Sequence, residues 1–120
     1  MRKIPITVVI DGGGSAITAN TKVYLPMNYD CVIQSWTLVA DASGSIVIDV
    51  WKDTYANYPP TVADTIAGSE KPTLSSATKN QDTSLTTWNT QVTAGDVLGF
   101  NVDSASTVTK VTLTIDVLAS

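Results

Sequence analysis

Four carboxylates in the middle of the 120-residue sequence are the side chains best suited to chemistry: Asp49, Asp53, Asp64 and Glu70. A glycosidase needs two carboxyl groups that face each other across a cleft. Asp49 falls in a predicted strand and the others in predicted loops, so a shared cleft is compatible with the sequence. Acidic residues scattered over a small β-rich chain are more typical of solvated turns and strands. We therefore expect no catalytic residue among them.

Other motifs with known chemistry are incomplete. The sequence has no histidine, which excludes Ser-His-Asp and Cys-His sites and histidine-based metal sites. Ser76-Ala77-Thr78-Lys79 has the S-x-x-K spacing without its companion motifs, and Gly12-Gly13-Gly14-Ser15 lacks the Gly-Lys ending of a phosphate loop. Cys31 is the single cysteine, and we expect it to be a buried thiol. The sequence predicts no enzyme, no cofactor and no metal centre, although calcium held by loop carboxylates stays an alternative.

The composition favours strands over helices. Only 15% of the residues are charged, against an average of about 25%, and Thr and Ser replace them. Thr suits a pleated surface and is a poor helix former, whereas Glu70 and Arg2 are single examples of residue types that helices use freely. The net charge of −4 and the absence of a basic run predict no binding to nucleic acid or to an anionic membrane. Because it needs no disulfide and has no membrane-spanning run, we expect a chain that can be made and assembled in a reducing cytoplasm.

Short apolar runs alternate with turn clusters along the whole chain, as in a β-sandwich or barrel. The run 32–40, the turn Asp41–Gly44 and the run 45–52 together predict a hairpin. A second hairpin is predicted from the alternating runs 98–103 and 111–117. Residues 62–80 have little pattern: the part 61–67 is compatible with a short strand or a single helical turn, and Pro72 with the stretch 75–78 favours an extended connection over a helix. The remaining runs are 4–10, 22–26 and 83–88.

These elements predict an all-β protein: a single domain, residues 1–120, folded as an antiparallel, jelly-roll-like sandwich of about eight strands. An immunoglobulin-like sandwich is the alternative, although its Cys-Trp-Cys pattern is absent. The run 45–52 is apolar on both faces, with Ile46, Ile48 and Val50 on one and Val47 and Trp51 on the other. Such a strand must be central in the core or covered by another subunit.

Aromatic residues provide the candidate contact surface. Trp36, Trp51 and Trp88 are expected to lie in the core or at a subunit interface, with a sugar-stacking platform as the alternative. The loop 53–61 combines Tyr with Pro, which is typical of interface anchors. The residues that we expect to contact a partner are Trp51, Tyr55, Asn57, Tyr58, Pro59, Pro60, Ile4 and Ile6.

Three segments together resemble a small module of tailed-bacteriophage and prophage proteins. The central segment Asp49–Thr61, containing W-K-D-T-Y-A-N-Y-P-P-T, is the specific part of the resemblance. Asp11–Thr18 and Ala94–Ser104 extend it over most of the chain, although their G-G-G and A-G-D motifs are weak alone. The resemblance implies a structural role in the virion and supplies no catalytic residues.

The resemblance, together with the lack of a long coiled or fibrous segment, favours a capsid decoration (cement) protein. Such a protein is made in the host cytoplasm and lies on the capsid surface of the virion. We expect a homo-oligomer, in particular a homotrimer, that binds the major capsid protein and stabilises the shell. The alternative is a tail-fibre or tail-tip module that binds tail proteins, a receptor or host glycan. A free carbohydrate-binding module of a secreted enzyme is a weaker alternative.

Overall fold

The computed structural model describes residues 2–119, so the first and last residues of the predicted domain, 1 and 120, lie outside the described part. Seven strands and two single-turn 3₁₀ helices follow one another along the chain. The strands are β1 (Arg2–Asp11), β2 (Lys22–Pro26), β3 (Cys31–Thr54), β4 (Thr73–Asp82), β5 (Gln91–Val92), β6 (Asp96–Ser106) and β7 (Lys110–Ala119). The 3₁₀ helices, Tyr55–Asn57 and Val62–Asp64, lie between β3 and β4.

The 24-residue strand β3 belongs to both halves of the fold. Its residues 31–40 pair with β7, which in turn pairs with β1, and we call this half the first leaf. Its residues 45–54 pair with β6, which pairs with β2, and this half is the second leaf. All of these pairs are antiparallel, in the order β1-β7-β3-β6-β2, while β4 and β5 pair with the other edge of β3.

One hydrophobic core lies between the two leaves. Strands β1, β3 and β7 of the first leaf supply Val8, Leu38 and Leu113, while β3 and β6 of the second leaf supply Ile48 and Phe100. The buried residues alternate along β7, as a strand with one face in the core requires. The predicted all-β, jelly-roll-like antiparallel sandwich is confirmed, with seven strands where about eight were expected.

Both predicted hairpins are wrong. Residues 41–44 do not form a turn but continue β3 as extended chain, and register shifts against β4 accommodate the bend there. Gly44 permits this path, because a Cβ at that position would lie 2.5 Å from the Thr107 Oγ1 and 2.9 Å from the Ser106 carbonyl oxygen. The connection between β6 and β7 therefore passes directly against the bend. It carries the chain from one leaf to the other, so these strands pair with different halves of β3 and not with each other.

The segment predicted as an unpatterned connection contains a strand. Strand β4 occupies Thr73–Asp82, and Leu74 is its only buried residue. Residues 83–88, predicted as a strand, form a loop. Strand β4 could not be predicted because it lies at an edge of the sheet with both faces largely in solvent, and it therefore shows no apolar alternation.

Cys31 is fully buried, as expected, and burial raises the pKa of its thiol. No helix among residues 2–119 has the length and apolar character needed to cross a membrane.

Candidate functional site

The outer face of the second leaf is covered by a loop of the same chain, residues 55–72, which we call the covering loop. Thr61 and Asp64 cap its second 3₁₀ helix reciprocally. The Ile66 amide then donates to the Val50 carbonyl oxygen at 2.9 Å, and Ile66 itself is buried. The strand that is apolar on both faces is thus covered on its outer side by its own chain.

The strand register of the second leaf determines which side chains lie beneath and beside this loop. On the outer face, Tyr24 of β2, Gly99 of β6 and Trp51 of β3 occupy one row. A Cβ on Gly99 would lie 3.1 Å from the Pro60 Cγ and 3.3 Å from the Tyr24 Cε1. The missing side chain at Gly99 therefore allows the covering loop to approach the sheet.

Asp49 is the buried anchor between strand and loop, with 1% of its surface exposed. One carboxylate oxygen accepts from the Val50 amide at 2.9 Å and from the Thr65 hydroxyl at 2.6 Å. The other accepts from the Trp51 Nε1 at 3.0 Å. Hydrogen bonds to a charged acceptor are stronger than neutral ones, so Asp49 holds Thr65 of the loop and the Trp51 indole in place.

Lys71 lies between two carboxylates at the end of the covering loop. Its Nζ donates to the Asp103 Oδ2 at 2.8 Å and lies 3.6 Å from the Asp49 Oδ2. The hydrogen bond to Asp103 raises the pKa of Lys71, so the ammonium stays charged and offsets the negative charge of the two carboxylates, Asp49 and Asp103.

Asn101, together with Asp49, Lys71 and Asp103, forms a polar cluster, and its side chain carries an acceptor without a partner. Its Nδ2 donates to the Asp103 Oδ1 at 2.8 Å, while its buried Oδ1 has no hydrogen-bond partner among the described residues. A buried acceptor without a partner costs about 1–3 kcal/mol. The cluster therefore holds one site that a donor group could satisfy.

Glu70, near the C-terminal end of the covering loop, binds a second loop, residues 83–90 between β4 and β5. Its Oε1 accepts from the Thr86 amide at 2.8 Å and from the Thr87 amide and hydroxyl at 2.6 and 2.7 Å. Its backbone carbonyl oxygen accepts from the Nε1 atoms of Trp36 and Trp88 at 3.1 and 2.9 Å. Trp36 and Trp88 belong to the hydrophobic core. Their indole N–H groups therefore hold Glu70 and the covering loop in place. Because both rings are buried, they offer no open platform for stacking a sugar.

We expect stability to depend on pH through Glu70. The hydrogen bonds from the Thr87 hydroxyl and amide lower the pKa of Glu70 from 4.5 to about 2. Because the folded state holds the charged form, this contribution is fully present above about pH 5. It is lost as the pH falls through 4.5 towards 2. Glu70→Gln should lower the melting temperature at pH 7 and flatten its fall between pH 5 and 2.

Asp41→Asn is the matched control for this titration. It also removes one negative charge, but among the described residues the exposed Asp41 accepts only from the Thr109 hydroxyl, at 3.2 Å and 3.5 Å. Melting curves of the control should keep the wild-type slope with pH. Equal slopes for wild type and Glu70→Gln would contradict the assignment.

Three tyrosines form an exposed aromatic surface where the covering loop leaves the sheet. Tyr55 and Tyr58 are 79% and 49% exposed, and the rings of Tyr24 and Tyr58 pack edge to face with centroids 5.2 Å apart. Together with Pro26 and Val97 they line a cavity of about 290 Å³, which we call the tyrosine pocket. Its lining is suited to an apolar side chain with a polar rim.

A larger concavity of about 600 Å³ lies on the other side of the loop tip, and we call it the Trp51 groove. Tyr24, Trp51 and Pro60 supply apolar surface to it, while Asn101 and Asp103 supply polar atoms. The Lys22 Nζ lies over the Trp51 ring, 5.8 Å from its centroid. The groove therefore combines apolar and hydrogen-bonding groups, and Trp51, Pro60 and Asn101 are themselves buried there.

The structure brings together only part of the predicted contact set. Most of the residues on the covering loop are exposed, namely Tyr55, Asn57, Tyr58 and Pro59. Trp51 is buried beneath the loop, and Pro60 is a buried residue of the loop itself. Ile4 and Ile6 lie on β1 in the first leaf, partly buried against the core. Their predicted role in contacts with a partner stays a prediction.

The four carboxylates considered for chemistry all bind the chain itself. Asp49 and Glu70 anchor loops, Asp64 caps its own 3₁₀ helix, and Asp53 accepts from the Thr54 amide at 2.8 Å. Within residues 2–119, no group of three Cys, Asp or Glu side chains is placed to hold a metal ion.

Sequence reasoning missed the residues that other strands bring to the loop: Tyr24, Lys22, Asn101 and Asp103. They come from β2 and β6, and only the strand register places them beside Trp51. One signal was available: Gly99, between two buried apolar residues, marks a close approach of another segment.

No protein-family model matches the chain, and no curated protein matches it either. Several solved structures are similar to it in part of their backbone. One, described as "CBM4 structure and function", is 15% identical, with 97% of this chain and 84% of that chain covered and a TM-score of 0.43. The N-terminal cellulose-binding domain of Cellulomonas fimi β-1,4-glucanase C is 15% identical, with 95% and 87% covered and a TM-score of 0.44.

A viral structure, that of nora virus, is 12% identical and has a TM-score of 0.39. The match covers 98% of this chain and 55% of the viral one. At these identities the likeness is confined to the all-β architecture.

Proposed function

We propose that this chain is a non-enzymatic structural protein of a tailed-phage virion that decorates the capsid by binding the outside of the major capsid protein. The observation that carries the proposal is the exposure of Tyr55 and Tyr58 on a loop tied to the sheet. Tyr and other aromatic residues dominate the energetics of protein interfaces. Both rings line the tyrosine pocket, where a partner could cover them.

The attachment of the covering loop supports a docking role. The Thr61–Asp64 cap, the Asp49–Thr65 hydrogen bond and the buried Ile66 hold the loop before any partner binds. Binding through a pre-ordered loop loses little conformational entropy. The tyrosine pocket can then receive an apolar side chain of the coat subunit, while the tyrosine hydroxyls stay at the wet rim.

Stabilisation of the shell follows from burial between neighbouring subunits. Each bound copy removes apolar surface of the covering loop and of the coat protein from water. In a homotrimer, three loops would engage adjacent coat subunits at once, and this multivalency strengthens attachment without new contacts. We propose the trimer as the binding form.

The double variant Tyr55→Ser/Tyr58→Ser tests the contact surface. We expect its affinity for particles stripped of the protein to fall by about tenfold or more for each tyrosine removed. Val9→Ser is the control, because Val9 is also an exposed apolar residue, at 52%, but lies on β1 in the first leaf. Rebinding is measured by cosedimentation. Wild-type rebinding by the double variant would exclude this loop as the contact.

Copy number separates decoration from the alternative tail location. A decoration protein should occur in a fixed ratio to the major capsid protein, measured by quantitative mass spectrometry of purified particles. A few copies that purify with isolated tails would instead favour a tail protein that binds a receptor or host glycan. Stripped particles with unchanged heat resistance would also remove the cement role.

A further inference from the structure

The polar cluster brings an amine, a carboxamide and two carboxylates together where the covering loop ends on the outer face of the second leaf. Its carboxamide and one of its carboxylates are closed to ligands, since Asn101 is 5% and Asp49 is 1% exposed. Chemistry in the cluster is therefore chemistry between its own side chains. None of the four residues lines the tyrosine pocket, so an inference about the cluster does not depend on the proposed capsid contact.

The strand register places the amine of Lys71 beside the Asn101 carboxamide. Asp49 and Asn101 are directly opposite each other on neighbouring strands, and Asp103 follows two residues after Asn101, on the same face of β6. The Lys71 Nζ lies 2.8 Å from the Asp103 Oδ2 and 3.6 Å from the Asp49 Oδ2. The amine is thus held between the two carboxylates that flank the Asn101 side chain.

Asp103 contacts both nitrogen atoms that a crosslink would exchange. Its Oδ2 accepts from the Lys71 Nζ, and its Oδ1 accepts from the Asn101 Nδ2, each at 2.8 Å. A carboxylate positioned in this way can take a proton from one group and give it to another within hydrogen-bond reach. The attacking nitrogen and the leaving nitrogen therefore share one proton carrier, and the exchange needs no external acid or base.

We propose that Lys71 and Asn101 form an intramolecular isopeptide bond. The Lys71 ammonium gives one proton to Asp103, and the neutral amine attacks the Asn101 Cγ. The Nζ–Cγ bond forms, and the Cγ–Nδ2 bond breaks as Asp103 passes its proton to the Nδ2. The second proton that the Nζ loses goes to the departing ammonia. An ammonium and a carboxamide thus become a secondary amide and one free ammonium ion, without an oxidant or a co-reactant.

The surroundings of the cluster suit a reaction that occurs once in each copy. The fold holds the two reacting groups in place, which replaces a bimolecular encounter. The side chains of Lys71 and Asp103 are 35% and 30% exposed, so ammonium has a route to solvent and its loss makes the step irreversible. Because the amine is charged at rest, the reaction is slow, and a single turnover is sufficient. The bond joins the end of the covering loop covalently to β6.

The test is intact-mass spectrometry of the full chain, denatured after incubation for days at neutral pH. We expect a species to accumulate that is lighter than the sequence by one ammonia molecule, with the peptides that contain Lys71 and Asn101 joined after proteolysis. Lys71→Arg should abolish the loss, because a guanidinium keeps the contact with Asp103 but cannot be deprotonated. Lys110→Arg is the matched control, since it makes the same exchange at an exposed lysine outside the cluster, and it should lose ammonia like wild type.

A second variant tests the role of Asp103 as the proton carrier. Asp103→Asn keeps the size of the side chain and an acceptor for Lys71, but its amide cannot carry the proton. We expect the rate of ammonia loss to fall by about a hundredfold or more, while circular dichroism shows that the variant is folded. The proposal is overturned if wild type keeps the full mass of its sequence. It is also overturned if the lighter species contains no peptide joining residues 71 and 101, or if Lys71→Arg loses ammonia as wild type does.

Discussion

Asp49→Ala is expected to lower the free energy of unfolding by about 3–5 kcal/mol, the usual cost of breaking a buried, hydrogen-bonded ionic network. The carboxylate accepts hydrogen bonds from three donors and lies beside Lys71. Alanine would leave the Trp51 indole N–H and the Val50 amide buried without a partner. It would also release Thr65 and with it the covering loop. Urea denaturation followed by circular dichroism measures the change.

Asp116→Ala is the control for this prediction. Asp116 also lies in a strand of the sheet, but it is half-buried, and within residues 2–119 its side chain accepts only from the Ser35 hydroxyl, at 3.4 Å. We expect its effect to stay within about 0.5 kcal/mol, as for surface substitutions in general. Asp49→Asn should fall between the two, because its amide oxygen can still accept from Thr65 while its NH₂ group cannot accept from Trp51. A cost for Asp49→Ala as small as that of the control would refute the anchor role.

Trp36→Ala is expected to cost a similar amount, about 3–5 kcal/mol, as large-to-small substitutions of buried aromatics do. Two losses combine in this variant. The ring, 3% exposed in the core, would leave a cavity between β3 and the loops. The Glu70 carbonyl oxygen would also lose one of its two indole donors.

Trp36→Phe separates these two contributions. Phenylalanine keeps most of the packing and removes the N–H donor, so we expect a loss of about 1–2 kcal/mol. Hydrogen exchange of the Thr86 and Thr87 amides, which donate to Glu70, reports whether the loop opens. A Trp36→Phe variant as unstable as Trp36→Ala would show that the hydrogen bond, and not the ring volume, dominates.

The class of the fold could be predicted because the apolar alternation is local to each strand. In β7, the buried residues Val111, Leu113, Ile115 and Val117 can be identified from the sequence alone. The two-sided apolar character of residues 46–51 likewise predicted correctly that both faces are covered. The sequence could not distinguish a second subunit from the chain's own loop, because either would bury Trp51 equally well.

The pairing of strands could not be predicted because it depends on contacts distant in the sequence. A turn-like segment such as Asp41–Gly44 is compatible with both a hairpin and a bend within one strand. The choice is made by the β6–β7 connection packing against Gly44. A register shift between Ile33 and Ser35 also changes which residues of β3 face inwards, so that Ile33 and Trp36 are both buried. No period-two pattern predicts such a bulge.

The candidate site was likewise predictable where its residues are close in the sequence, and not where distant strands contribute to it. The exposed tyrosines lie on one loop whose composition already indicated contact, so Tyr55 and Tyr58 could be selected directly. The Trp51 groove depends on β2 and β6, whose residues are distant in sequence from Trp51. The unpartnered Asn101 oxygen in particular is a property of side-chain packing, which no spacing rule describes.

The shared strand β3 has a consequence for synthesis on the ribosome. Its principal partners on the two leaves, β6 and β7, emerge after the other strands of this domain, and among residues 2–119 β1 pairs only with β7. While the nascent chain ends before residue 96, β1 and β2 have no partner strand and β3 has only β4 and β5. Folding of this domain therefore waits until β6 and β7 have emerged, and it joins β1 and β7 in the same late step.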